Sequence, residues 1–184
     1  MKVEKLIMVI FCIILPLALL LLSFNLVISF YHFTADQQDG VDFLLGKTTL
    51  REGYTMEEIA HMQDVKEVIQ IANLFFLGIL VVLVFILTYY QRNKMQLKRL
   101  FRYGGITTLS FVGLILLFIL TIWNFIFTIF HKIFFPQGNW QFPADSLLIT
   151  TYPGSLFVKL SLLIFIGSLF FGSIFILLSK SKRL

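Results

Sequence analysis

Four long apolar runs punctuate the chain, at residues 6–30, 71–90, 106–130 and 156–178. A helix needs about 20 such residues to cross a hydrocarbon core of about 30 Å, so each run predicts a membrane-spanning helix. Polar residues gather between them in one short connection, 91–103, and two long ones, 31–70 and 131–155. The pattern predicts an all-α membrane protein of four transmembrane helices, with the two long loops forming a cap on one side. No repeat or second soluble unit interrupts it, so residues 1–184 are read as a single membrane domain. Lys2 and Lys5 precede the first run as they would in a signal peptide. That run is too long for a signal h-region and no small-residue cleavage site follows, so it is read as an uncleaved span. Pro16, near its middle, predicts a kink.

Finer patterns mark the loops. Thr55-Met56-Glu57-Glu58 has the spacing of a capping box and predicts a helix that starts near Met56 and runs into the second span. Within it Ile59, Met62, Val65 and Ile69 recur at helical spacing and predict the apolar face. Asp64 follows His61 at i+3, close enough to approach it. Pro136 and Gly138 should stop the third span, leaving His131 in its last turn. Thr121, Asn124, Thr128 and His131 then form a polar stripe expected to face the bundle interior. Asn25, Ser29 and His32 make a similar stripe on the first span.

Composition agrees and adds exclusions. The chain is 58% apolar and only 14% charged, with 22 Phe; soluble domains carry about 25% charged residues. A water-soluble enzyme, a disordered chain and a nucleic-acid binder are excluded on these grounds. The single cysteine, Cys12, lies in an apolar run and can form neither an intrachain disulfide nor a redox pair. The net charge of +5 is unevenly placed. Ten of the fifteen basic residues lie at the two termini and in residues 91–103, whereas nine of the ten acids lie in the other loops. The positive-inside rule places both termini and residues 91–103 in the cytoplasm and the cap outside the cell membrane. All three histidines, His32, His61 and His131, fall in or beside that cap.

The residues of the cap admit few chemistries. His61, Asp64, His131 and Asp145 lack any metal-ligand spacing, so no metal is expected. Ser146 and Ser155 lack a nucleophile elbow, and Asp64 with Asp145 lacks the Asn-containing motifs of the lipoprotein signal peptidases. No phosphate-binding glycine loop is present and no cofactor is expected. A non-catalytic membrane scaffold that binds a partner through its cap stands as the alternative to an enzyme.

Residues 61–66, HMQDVK, together with residues 130–135, FHKIFF, and the Trp140-x-Phe142 that follows, resemble the lipoprotein intramolecular transacylase (Lit) family of Gram-positive bacteria. The resemblance implies an acyltransferase that acts on diacylated lipoproteins at the outer leaflet. It implies transfer of the sn-2 acyl chain of the diacylglyceryl group to the α-amine of the N-terminal cysteine, giving a lyso-form lipoprotein. It implies His61 and His131 as catalytic residues. Asp64, Phe134, Phe135, Trp140 and Phe142 are then expected to orient the histidines or line an apolar substrate pocket. The expected partners are the lipoprotein and membrane lipid, with no nucleic acid.

Overall fold

The computed structural model describes residues 2–181, and all its regular elements are helices. They are α1 (Lys2–Phe30), α2 (Ala35–Leu44), α3 (Met56–Tyr90), α4 (Lys94–Phe134), α5 (Leu147–Thr151) and α6 (Gly154–Lys180). Of these, α1, α3, α4 and α6 are long and apolar enough to cross a membrane. Lys182 and Arg183, two of the basic residues counted at the C-terminus, lie outside the described residues. At 1.5 Å per residue α3 is about 50 Å long and α4 about 60 Å. Both outrun a bilayer core, and their polar ends project from the apolar segments.

One end of the bundle is tightly packed. Phe11 and Leu15 of α1, Leu83 and Ile86 of α3, and Leu97 and Leu100 of α4 share one buried cluster. Small residues bring α4 against α6. A Cβ on Gly105 would lie 2.8 Å from the Gly172 carbonyl oxygen, and one on Gly172 would lie 2.9 Å from Thr108 Cγ2. Close backbone approach of this kind is how membrane helices gain dispersion contact. Lys94, Lys98, Arg99 and Arg102 line a groove against Ser179 at this same end.

Midway along the bundle, polar clasps tie α1 to its neighbours. Ser168 Oγ bonds Ser23 Oγ at 3.1 Å, and Asn25 Nδ2 donates to Asn73 Oδ1 at 3.0 Å. Between that level and the cap the packing opens. No residue is buried over 71–78 of α3, 120–130 of α4 or 157–167 of α6.

One expectation about the spans is corrected here. Helix α1 continues through Pro16, and a break in helical geometry falls at Ile122 of α4 (φ −135°, ψ 43°). Thr121 donates to the Leu117 carbonyl at 2.8 Å, supplying a bond beside the break, and is itself exposed. Asn124 is exposed as well. Thr121 and Asn124, the half of the predicted polar stripe nearer the middle of the span, therefore do not face a buried interior.

The cap is built from two short helices and the projecting start of α3. Thr34 and Gln37 form a capping box that starts α2, and Thr55 and Glu58 form the predicted one that starts α3. Gln37 joins α2 to α5: its Nε2 donates to the Thr151 carbonyl and its own carbonyl accepts from Tyr152 Oη, both at 3.0 Å. Gly40 is required at this contact, since a Cβ there would collide with the Tyr152 hydroxyl. Tyr54, Met62, Leu148, Tyr152 and Leu156 make the buried core of the cap. The buried face of α3 is therefore turned from the predicted one. Glu58, His61 and Met62 are buried, while Ile59 is 37% exposed.

Candidate active site

His61 sits in the second turn of α3, ahead of its apolar segment, and His131 in the last turn of α4, just past its own. The two rings face one another with centroids 6.3 Å apart and planes inclined by 26°. Phe135, 2% exposed, touches both, with its centroid 4.8 Å from that of His61 and 5.6 Å from that of His131. Phe142 closes over His61 at 5.6 Å, and Trp140 over His131 at 4.9 Å. Phe134 does not join them. Its ring pairs with Phe130 at 4.7 Å and is 46% exposed, because successive residues of a helix end point in different directions. The expected pocket role for Phe134 therefore has no contact to support it, whereas Phe135, Trp140 and Phe142 surround the pair.

The protonation of His131 follows from its partner. Nδ1 lies 2.8 Å from the Phe127 carbonyl oxygen, one helical turn back. A carbonyl only accepts, so Nδ1 carries the hydrogen and Nε2 keeps its lone pair in the neutral ring. Burial lowers the pKa of His131 from its ordinary value, and the bond to Phe127 opposes that shift. His61, 7% exposed, is pushed down further, to about 4. Burial is the largest cause and neighbouring His131 the next, while Asp64 and Asn139 pull the other way. Both rings are thus biased toward the neutral form at neutral pH.

Asp64 does not bond His61 as its spacing suggested. Its Oδ2 accepts from Gln137 Nε2 at 2.7 Å and from Asn139 Nδ2 at 2.6 Å, so it latches the loop after α4 onto α3. The other residues of the hexamer also have distinct contacts. Met62 enters the cap core, and Lys66 Nζ lies 4.4 Å from the centre of the Phe43 ring on α2. Gln137 and Asn139 are the site residues that the sequence did not single out. Their only signal was polarity within an aromatic-rich loop.

Among the described residues no three His, Cys, Asp or Glu side chains gather as metal ligands. Ser146 caps α5, accepting from Ile149 N at 3.3 Å. Beside the pair an open groove of about 560 Å³ is lined by Glu57, Glu58, Asn139, Gln141, Phe142 and Asp145.

A family model described as lipoprotein intramolecular transacylase Lit matches residues 41–157, well over half of the chain and including both histidines. The chain belongs to the Lit family. It is therefore an enzyme of the transacylase class, and the scaffold alternative gives way. No curated protein sequence matches it. Among solved structures it is similar to the membrane-integral lipoprotein intramolecular transacylase Lit from Bacillus cereus. The TM-score is 0.81 at 16% identity, covering 96% of this chain and 94% of that one. Two further structures of the Bacillus cereus protein, with a histidine replaced by arginine or by alanine, give TM-scores of 0.75 at 16% identity. They cover 97% of this chain and 91% and 93% of theirs, respectively. At such identity the likeness shows the shared fold: four spans carrying a cap.

Proposed function

We propose that this Lit-family protein moves the sn-2 acyl chain of a diacylglyceryl lipoprotein to the α-amine of the same molecule's N-terminal cysteine. The observation that carries the reading is the His61–His131 pair, walled by Phe135, Trp140 and Phe142 at the junction of the cap with the open layer of the bundle. The Bacillus cereus structures with a replaced histidine are in keeping with a histidine of interest in that protein.

The chemistry needs one proton moved and no covalent enzyme intermediate. The amine attacks the ester carbonyl, the amide C–N bond forms and the ester C–O bond breaks. The proton leaving nitrogen ends on the glyceryl oxygen. His131, with its Nε2 lone pair free and its ring less buried than that of His61, takes the proton from the amine and returns it to the departing oxygen. His61 keeps the second imidazole neutral beside it, since two charged rings at this separation would repel. Holding amine and ester together contributes up to about 7–11 kcal/mol to lowering the barrier when alignment is good. The aromatic walls keep water from competing for the ester. Acyl chains occupy the layer over residues 71–78, 120–130 and 157–167, where no side chain is buried. Glu57 and Asp145 on the groove favour approach of a cationic amine.

In this reading the chain acts as one membrane domain in the cell membrane, with cap and site outside and both termini inside. The test mixes an isotopically heavy diacyl lipoprotein with a light lipoprotein of different peptide sequence and light phospholipid. Mass spectrometry of the N-terminal peptides should find the heavy chain on the amine of its own peptide. Heavy label on the other peptide would overturn intramolecular transfer.

A further inference from the structure

His61 Nδ1 and Asn139 Oδ1 are both buried, and neither has a hydrogen-bond partner of good geometry. Buried polar atoms left this way are rare in folded proteins and call for an explanation. Asn139 nevertheless acts on His61 as a hydrogen-bonding neighbour that favours the charged ring. Asn139 bonds Asp64, which lies one turn along α3 from His61, so the two orphaned atoms belong to the same corner of the site.

The orientation of the Asn139 amide is settled by chemistry. A carboxylate only accepts, so the side of the amide 2.6 Å from Asp64 Oδ2 must be its NH₂ group. That leaves Oδ1 free to accept, and an acceptor can pair only with a ring nitrogen that carries hydrogen. Gln137 donates to the same Asp64 oxygen and helps anchor the loop on which Asn139 sits. Of the other carboxylates nearby along α3, Glu58 is committed to the amides of Thr55 and Leu148, and Glu57 is exposed.

We propose that Asn139 is a positioning residue: its Oδ1, aimed by the Asp64 carboxylate, takes the Nδ1–H of His61 and fixes the tautomer that presents Nε2 as an acceptor. This rests on the histidine-pair reading and extends it to a chain of three side chains, Asp64, Asn139 and His61. The polarised amide then supports His61 during the transfer without touching the reacting atoms.

The chain has three histidines, so ring ¹⁵N NMR of the full-length protein in nanodiscs reads each tautomer directly, with assignments from His32→Gln and His131→Gln. In the wild type His61 is expected as the Nδ1–H tautomer. In Asn139→Leu that tautomer should give way to a mixture, with kcat down about 10- to 100-fold and KM little changed, as for loss of an orienting hydrogen bond. Asp64→Asn, which keeps an amide-to-amide contact and removes the charge, should lose less. A wild-type His61 bearing hydrogen on Nε2 would overturn the proposal, whatever the folding of the variants. So would an Asn139→Leu protein with unchanged tautomer and kcat. A wild-type protein inactive on diacyl lipoprotein would instead remove the transacylation reading, while the tautomer result would still decide the placement of Asn139.

Discussion

The Glu58 carboxylate, 1% exposed, accepts the amide of Leu148 at 2.7 Å and the amide of Thr55 at 2.8 Å. One side chain thereby caps the start of α3 and holds α5, which is remote in sequence, against it. Glu58→Ala would leave both amides without their acceptor in a buried place, at a cost of about 1–3 kcal/mol for each. The expected outcome is a lower melting temperature in detergent, with transacylation reduced through loss of cap order. Glu58→Gln, which keeps one good acceptor oxygen, should fall between the two.

Removing either imidazole is predicted to abolish acyl transfer. His131→Ala should lower the rate by at least about 10²-fold, the lower end for a positioned acid–base group, and His61→Ala, which removes its neutral partner ring, should abolish transfer as well. Both should retain the wild-type elution profile. Trp140→Ala, which removes a wall from His131 and leaves the proton chemistry in place, should lose less. Near-wild-type lyso-lipoprotein formation by either histidine variant would remove that residue from the mechanism.

Acid should weaken both activity and folding. His61 has a native pKa of about 4 against an ordinary value of 6.5. As the pH falls through that interval the unfolded chain binds a proton that the native chain refuses, so stability is complete above 6.5 and declines toward 4. His131 is shifted in the same direction. The enzyme's acid limb should therefore lie below 6.5, distinct from the titration of a substrate amine near pH ~8. Melting curves and initial rates between pH 4 and 8 check both, and His61→Gln should flatten the melting profile. A stability loss centred above 6.5 would contradict the burial argument.

Where α4 and α6 touch, there is no room for a side chain. Gly172→Val would drive a branched group toward Thr108 Cγ2, which already lies 2.9 Å from the Cβ position. Overpacking of this kind costs about 1–3 kcal/mol. Reduced thermal stability is expected, whereas Gly113→Ala, with nothing near its Cβ position, should be neutral or slightly stabilising. Equal melting temperatures for the two would speak against the close approach.

The orientation of the bundle is open to direct labelling. Asp39→Cys, in the cap, should react with an impermeant thiol reagent on intact cells in a Cys12→Ala background, and Arg99→Cys should not. The reverse result would place the histidine pair on the cytoplasmic face.

How far the sequence discloses this molecule depends on whether the deciding contact is local. The start of α3 was readable because Thr55 and Glu58 lie within one turn. Helix α2 carried the same signal in Thr34 and Gln37, obscured by the polar run around it, and α5 is too short for periodicity to register. Glu58 could not be assigned to the interior, since the Leu148 amide that satisfies it comes from the other loop. Nor could Asp64 be given its partners, for it looks toward His61 along the helix but bonds Gln137 and Asn139 across space. The opposition of His61 and His131 follows from antiparallel spans that end at the same level. The position of the helix break does not follow, because Ile122 has neither the ring of Pro16 nor the freedom of a glycine.

That break gives the two ends of α4 different masters. Below Ile122 the helix is registered by Gly104, Gly105 and Thr108 against α1 and α6. Beyond it, the turn bearing His131 answers to the loop that Asp64 pins to α3. The spacing of the two imidazoles is then a property of the cap's fastening. The spans act as a foundation, and the gap between the rings is held from above.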